Sequence, residues 1–203
     1  LRIRVPEQWY GDYLAMLGAA RVGERELLSI GRELGWDALD QFTTDWFEYS
    51  EQRMASALGG LPAGSVTAES THDPFPGTPA GGVVVKVKVE TLPAEGRIVI
   101  DLQDNIDSLP CGLNMTEATV ISSALTGLFN SIDGTIPKNA GSRRRVSILM
   151  RDGAAVGRPR HPTSCSVATS NLADRVANAT QRAIAELADG CGMAEAGTII
   201  PPA

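Results

Sequence analysis

The first third of the chain carries apolar residues at roughly helical spacing, with charged residues between them. Over residues 11–35 this pattern predicts an amphipathic helix that Gly23 breaks or bends and that Gly35 ends. A second helix is predicted over residues 37–58, and the glycine pair that follows directly is predicted to end it. The amino-terminal part of the chain is therefore expected to be helical.

The middle of the chain changes to a period of two, which is the spacing of a strand with one solvated face. Residues 83–89 alternate valine with lysine in their second half, and residues 97–102 form another apolar run after a turn near Gly96. These two segments are predicted to pair as a hairpin. A short strand is also predicted over residues 65–70, followed by a proline-rich loop over residues 72–79.

Apolar residues dominate the stretch 115–130, which predicts a buried helix. Asn114 stands at its predicted N-cap, and Glu117, three residues further on, completes a capping-box pattern. Strands are predicted over residues 145–150 and, after a turn, over residues 154–156.

A last amphipathic helix is predicted over residues 171–188. Helices, then a hairpin, then helix–strand–helix indicate an α+β fold with central antiparallel strands and a mixed sheet packed by helices. We divide the chain into a helical segment, residues 1–60, and a mixed α/β segment, residues 61–203. Together they are expected to be part of one larger subunit.

Composition narrows the classes of partner. The 203 residues carry a net charge of -6, which argues against nucleic acid or an anionic membrane as the main partner. No apolar run approaches the ~20 residues that span a bilayer. Three scattered cysteines without a CxxC pair are typical of reduced thiols in a cytoplasmic protein. The chain begins without methionine, so we expect a piece of a longer polypeptide or a processed subunit.

Histidine and aspartate supply the first candidate sites. His72 and Asp73, in the proline-rich loop, are candidates for metal binding or acid–base chemistry. The other histidine is His161, and no metal-binding spacing joins the two, so exposed turn histidines are the favoured interpretation. Asp101, together with two further aspartates that follow it at intervals of three, could hold Mg²⁺ or Mn²⁺. Turn formation is favoured for the two later aspartates, and the role of Asp101 stays open.

Further candidates surround the turns before the helices. The amides near Asn114 could bind an anion, although helix capping explains most of the pattern. Three consecutive arginines follow Asn139, and at most one or two of them, Arg144 among these, can meet one anion. An active-site role and a solvated turn or subunit contact are equally favoured for the arginines. Cys165, flanked by serines, could be a nucleophile, but a buried cysteine is favoured.

Nucleotide-binding loops are missing from the sequence. It contains neither GxxxxGK[ST] nor GxGxxG, so this chain is not expected to bind ATP by itself.

The order of several short motifs resembles the hydantoinase B family. In chain order these are Arg4-Val5-Pro6, Gly11-Asp12, Gly23-Glu24, Leu34-Gly35, Leu61-Pro62-Ala63-Gly64, Asp101, Gly112 and Asn114, Pro137-Lys138-Asn139-Ala140-Gly141-Ser142, Asp152-Gly153, and the prolines Pro159 and Pro162. Their order and spacing over residues 4–188 carry the resemblance.

The resemblance implies a heteromeric enzyme. A hydantoinase A-type partner subunit would bind ATP and phosphorylate a substrate oxygen. A divalent metal (Zn, Mn or Mg) is expected in a family region that precedes this segment. The favoured activity is hydrolysis of a cyclic amide such as hydantoin or 5-oxoproline, with ketone carboxylation (acetone or acetophenone) and a non-catalytic scaffold as alternatives. Asp101, Asn114 and Asn139 match recurring family positions; with Arg144 they are the catalytic candidates.

Overall fold

The computed structural model describes residues 5–166 and 170–188. Two compact units are present, Leu1–Trp46 and Phe47–Ala203. The elements are α1 (Pro6–Leu34), α2 (Trp36–Gly59), β1 (Gly64–His72), β2 (Val83–Leu92), β3 (Arg97–Asp101), α3 (Glu117–Ser131), α4 (Ala140–Arg143), β4 (Val146–Leu149) and α5 (Asn171–Leu187), with a 3-10 turn at Pro93–Glu95 between β2 and β3.

Helix α1 is continuous through Gly23, so of the predicted break or bend at that glycine the break is wrong. A glycine inside a helix costs about 1 kcal/mol relative to alanine, which a helix of 29 residues can absorb. Pro6 occupies the first turn, where its missing N–H is not needed. The predicted stop is confirmed: Gly35 has a φ of 86°, and its N–H donates to the Gly31 carbonyl at 3.0 Å.

The four strands form one mixed sheet in the order β1-β2-β3-β4. β2 pairs antiparallel with β1 on one side and with β3 on the other, as the predicted hairpin requires. β3 and β4 are parallel, and the chain between them contains α3 and α4, because parallel neighbours need a long crossover. The predicted α+β fold with a mixed sheet packed by helices is confirmed.

One face of the sheet forms the core. The alternation in β2 buries Val83, Val85, Val87 and Val89, while the lysines between them are more exposed. Helix α5 packs against α3, β1 and β2. Its buried side chains join the same hydrophobic cluster: Leu172, Val176, Ala179, Ala183 and Ile184. The carboxyl-terminal half of α2 contributes Met54 and Leu58, both fully buried.

Two predicted features, the start of α3 and the strand over residues 154–156, differ in the structure. Helix α3 begins at Glu117, and its N-cap is Thr116, whose hydroxyl accepts from the Thr119 N–H; the predicted cap at Asn114 was wrong. The strand predicted over residues 154–156 is present only as isolated bridges. Among the described helices, none combines the length and apolar character needed to cross a bilayer.

Candidate functional site

Two arginines of the predicted cluster meet one carboxylate. Glu51 on α2 accepts from Arg144 at 3.0 Å and from Arg145 at 2.8 Å. Arg144 keeps helical backbone angles after α4, so the neighbouring arginine can reach the same carboxylate. The hydrogen bond from Arg144, with help from the charge of Arg145, holds the pKa of Glu51 below its ordinary value of 4.5. Arg144 therefore has an internal anion as its partner.

Asn139 organises the turn that begins α4. Its side-chain oxygen accepts from the N–H groups of Gly141 and Ser142, and its own N–H donates to the Ser142 hydroxyl, which completes a capping box. Its side-chain NH₂ donates to the Ser50 hydroxyl on α2 at 2.8 Å. Because both ends of its amide are engaged, Asn139 acts in this structure by positioning the turn.

The turn lies directly on α2. Gly141 is buried, and a Cβ atom at this position would overlap the backbone carbonyl of Phe47. Only glycine permits this approach, which brings the arginine cluster to α2.

A cavity of about 450 Å³ lies between α3 and the α4 turn. Its lining is mostly apolar, with hydroxyl groups and two cationic side chains: Ser122, Leu125, Thr126, Phe129, Asn130, Lys138, Asn139, Ala140 and Arg143. The Lys138 ammonium lies 5.6 Å from the centroid of the Phe129 ring, a cation–π arrangement. Arg143 donates to the Val146 carbonyl. We call this the α3–α4 pocket.

The electrostatics of the α3–α4 pocket favour an anion. No acidic side chain lines it, and within residues 5–166 and 170–188 neither Lys138 nor Arg143 forms an ion pair. Burial lowers the pKa of the Arg143 guanidinium, although the group stays protonated at neutral pH. Since burial of this cation is not offset by a carboxylate, a bound anion would be stabilised there. The pocket suits a small ligand with one anionic group and an apolar body.

The aspartates after β3 have structural partners. Asp101 ends β3, and its carboxylate accepts from the Gln103 N–H at 2.9 Å, which is a turn contact. Asp104 lies 3.3 Å from Lys86, and Asp107 lies 2.6 Å from Arg151. Each aspartate is thus tied to a different group, and the described residues contain no cluster of three or more metal-ligating side chains.

Asn114 joins two loops. It is fully buried; its side-chain oxygen accepts from the Leu109 N–H, and its NH₂ donates to the carbonyls of Leu109, Cys111 and Ser164. Every donor and acceptor of the amide is used within the protein. The role of Asn114 here is to hold the two loops together.

His72 differs from the exposed turn histidine that was predicted. β1 extends through His72, whose side chain is buried, and its Nδ1 lies 2.7 Å from the Asp73 carbonyl oxygen. His161 is exposed. His72 and Asp73 alone supply too few ligands for a divalent metal of the kind implied by the resemblance, so these residues do not fit that group.

Cys165 shows no sign of activation as a nucleophile. Cys111 and Cys165 are free, and Cys191 lies outside the described residues. Burial raises the pKa of the Cys165 thiol, which disfavours the nucleophilic thiolate. Its S–H is directed at the Thr163 carbonyl. The sequence favoured a buried or incidental cysteine, and in the structure Cys165 is partly buried.

Sequence reasoning missed the α3–α4 pocket. It singled out Arg144, whereas Arg143 lines the cavity together with Lys138. A usable signal was present, because Phe129 ends the apolar face of α3 shortly before the lysine that its ring contacts.

Comparisons with known proteins give the chain its context. The Hydantoinase B/oxoprolinase family model matches residues 1–200. A protein of Pseudomonas sp. (strain NS671), provisionally named as the B-type subunit of a D-/L-hydantoinase, is 26% identical over 197 residues. The alignment covers 91% of this chain and 32% of that protein.

Two solved structures share the fold. The ATP-dependent caprolactamase of Pseudomonas jessenii superposes with a TM-score of 0.77 at 23% identity, over 93% of this chain and 32% of that one. A nucleotide-free acetone carboxylase superposes with a TM-score of 0.62 at 12% identity, over 79% of this chain and 22% of that one. The chain therefore spans about a third or less of the length of these relatives. The match over residues 1–200 decides the family: the chain belongs to the Hydantoinase B/oxoprolinase family.

Proposed function

We propose that this chain is part of the B-type subunit of a heteromeric ATP-dependent cyclic-amide hydrolase of the hydantoin or 5-oxoproline type. The observation that carries the proposal is the family match over residues 1–200, together with the relative named as a B-type hydantoinase subunit. In this proposal a partner subunit of the hydantoinase A type binds ATP; these 203 residues contain neither GxxxxGK[ST] nor GxGxxG.

The chemistry explains why ATP is consumed. An amide carbon is a poor electrophile, and transfer of the γ-phosphoryl group to the amide oxygen makes it a good one. One water molecule adds to the activated carbon, the ring C–N bond breaks and the nitrogen leaves as a protonated amine; a second water molecule then releases the phosphate. The products are ADP, inorganic phosphate and a ring-opened acid with a new carboxylate. A divalent metal would screen the phosphate charge, and we place its ligands outside the described residues because His72 and Asp73 do not fit one.

We assign the α3–α4 pocket to an anionic group of the reacting species. Lys138 and Arg143 supply two cations that pair with no carboxylate of the described residues, and the wall of α3 supplies apolar contact. The carboxylate produced by ring opening, or the phosphate that precedes it, has the required charge. Asn139 and Glu51 then act indirectly, because they hold the turn that presents Arg143.

The alternative function is ketone carboxylation, which the acetone carboxylase likeness keeps open at the level of the fold. The test uses the complex purified through the polypeptide that carries this chain. ADP release is measured with hydantoin, with 5-oxoproline, and with acetone or acetophenone plus bicarbonate. Stimulation by a ring amide supports the proposal. Stimulation by a ketone with bicarbonate, and by no amide, would replace it with the carboxylase.

A non-catalytic scaffold is the remaining alternative. Lys138→Gln and Arg143→Gln, introduced together, remove both pocket cations. If the assembled complex then keeps wild-type kinetics for every substrate it uses, the pocket takes no part in the reaction and the scaffold role gains.

A further inference from the structure

Two polar side chains that line the α3–α4 pocket already have partners within the protein. The Thr126 hydroxyl donates to the Ser122 carbonyl of the same helix at 2.8 Å. The Asn139 NH₂ donates to the Ser50 hydroxyl on α2 at 2.8 Å. Either group would have to break an internal hydrogen bond before it could donate that proton to a ligand.

The charged donors of the pocket are held in defined places. The Lys138 ammonium lies 5.6 Å from the centroid of the Phe129 ring. Arg143 donates to the Val146 carbonyl, which anchors its guanidinium and leaves the other N–H groups for a ligand. A guanidinium fits two oxygens of either a carboxylate or a phosphate, so the rest of the ligand decides between these anions.

The remaining wall of the pocket is apolar. Leu125 and Phe129 of α3 contribute to it, together with Ala140 of α4. Burial of apolar surface is favourable in proportion to its area, and an inorganic ion has no such surface to bury. A cavity of about 450 Å³ also has room for an organic group beside the anion.

The number of charged oxygens favours a carboxylate over a phosphate. A carboxylate has two oxygens, which the Arg143 guanidinium and the Lys138 ammonium can both reach as donors to one anion. A phosphate carries further charged oxygens, and the Thr126 hydroxyl and the Asn139 amide are engaged elsewhere. A charged oxygen without a donor beside an apolar wall is unfavourable.

We infer that the α3–α4 pocket binds an organic monocarboxylate with an apolar body and selects it over inorganic phosphate. In the proposed reaction, the acid formed by ring opening is the species that gains a carboxylate, so its identification as the ligand rests on the proposed function. Because the pocket also receives the reacting species, a bound product delays the next substrate. The complex is therefore inhibited by its own ring-opened acid.

Binding is tested without turnover, by isothermal titration calorimetry of the full-length polypeptide that carries this chain. The probe 3-phenylpropanoate supplies one carboxylate and an apolar body. Its neutral amide, 3-phenylpropanamide, keeps the shape without the charge, whereas acetate keeps the charge without the apolar body. Inorganic phosphate is the competing anion. The expected result is that 3-phenylpropanoate binds at least about tenfold more tightly than each of the other three.

Two substitutions of Ala140 form the matched pair of variants. Ala140 is exposed and lines the pocket, and glutamate and glutamine add side chains of nearly equal size there. Only glutamate adds a carboxylate that can pair with the two cations. Ala140→Glu is therefore expected to bind 3-phenylpropanoate about tenfold or more weakly than Ala140→Gln.

Removal of the cations gives a second comparison. Lys138→Gln with Arg143→Gln is expected to abolish the preference for the carboxylate over the amide. Arg160→Gln, which changes an exposed cation outside the pocket, is expected to keep this preference. In the assembled complex, 3-phenylpropanoate is expected to raise the apparent KM of the substrate that the complex uses, and phosphate at the same concentration is not.

Several results would overturn the inference. These are equal binding of the acid and the amide, tighter binding of phosphate than of 3-phenylpropanoate, and no binding of any probe. Equal weakening by Ala140→Glu and Ala140→Gln would also overturn it, because the charge of the pocket would then have no effect. A bound probe that leaves the apparent KM unchanged overturns the product inhibition.

Failure of this inference and failure of the proposed function can be told apart. If the complex hydrolyses ring amides and the calorimetry shows no preference for the carboxylate, the carboxylate site fails and the function stands. If 3-phenylpropanoate binds as expected but no ring amide stimulates ATP use, the function fails and the carboxylate site stands.

Discussion

At the residue scale, the site depends on a few side chains whose partners the sequence could not reveal. Arg144 forms an ion pair with Glu51, and Asn139 forms the capping box of α4. Both catalytic candidates therefore have partners within the protein. Lys138 and Arg143, by contrast, line the α3–α4 pocket and pair with no carboxylate of the described residues. Each of these assignments predicts a different response to substitution.

Removing the pocket cations should affect substrate handling. Lys138→Gln with Arg143→Gln is expected to raise KM about tenfold or more, because charge-assisted contacts to a carboxylate or phosphate are lost. Arg160→Gln is the control, since Arg160 is an exposed cation that does not line the pocket. Steady-state kinetics of the complex measure the effect, and an unchanged KM in the double variant would remove the pocket from the account.

Gly141 should tolerate no side chain. Gly141→Ala is expected to lower the free energy of unfolding by roughly 1–3 kcal/mol, because its methyl group overlaps the Phe47 carbonyl and α4 must shift. Gly134→Ala is the matched control, since nothing lies within 4 Å of its new methyl. Urea denaturation of both variants makes the comparison; equal stability would mean that α4 does not press on α2.

At the element scale, α2 and α4 are joined by charge as well as by contact. Glu51 is held by two arginines, and the pair of ion contacts fixes the turn that carries Arg143. Loops are joined in a similar way by Asn114, through hydrogen bonds to three carbonyls and one N–H. The two joints share no residue, so each can be broken separately.

The Glu51 joint should weaken in acid. Its pKa is lowered in the folded state, so its contribution is complete above the ordinary value of 4.5 and disappears as the pH falls through the lowered pKa. Glu51→Gln should therefore destabilise the protein at pH 7 and make progressively less difference below pH 4.5. Denaturation of both proteins at several pH values measures this; a stability gap that persists unchanged in strong acid would contradict it.

The Asn114 joint should matter at every pH from neutral to acid. Asn114→Ala is expected to cost about 2–4 kcal/mol, because buried backbone groups in two loops lose their partners. Chemical denaturation gives the value. A loss below about 0.5 kcal/mol would mean that the loops hold together without it.

The sequence predicted the regular elements well, because each one depends on nearby residues. The β2–β3 hairpin is encoded by alternation and a turn, and the ends of α1 and α2 by glycines. The N-cap of α3 shows the limit. Asn114 and Thr116 are both good caps in sequence, and Asn114 is instead drawn into the core by carbonyls as far away as Ser164. Such long-range partners leave no local pattern.

The α3–α4 pocket could not be predicted for the same reason. The positions of its two cations depend on the close approach of α4 to α2. Gly141 permits this approach, and no sequence pattern indicates it. The resemblance to a family supplied the functional class, whereas the three-dimensional arrangement identified Arg143 in place of Arg144 as the residue that lines a cavity.

At the scale of the whole molecule, the chain corresponds to only part of the length of its relatives. It belongs to the Hydantoinase B/oxoprolinase family and spans 32% of the hydantoinase relative from Pseudomonas sp. (strain NS671). A cationic pocket on the mixed α/β unit is the feature that the proposed function uses.

The most direct measurement is the coupling of ATP consumption to ring opening. ADP formation and the ring-opened acid are quantified in parallel, with hydantoin as substrate, for the complex purified through the polypeptide that carries this chain. We predict that ring opening requires ATP, that the two products appear in a fixed ratio, and that neither subunit alone forms them. Ring opening at the same rate without ATP, or by this polypeptide alone, would contradict the account.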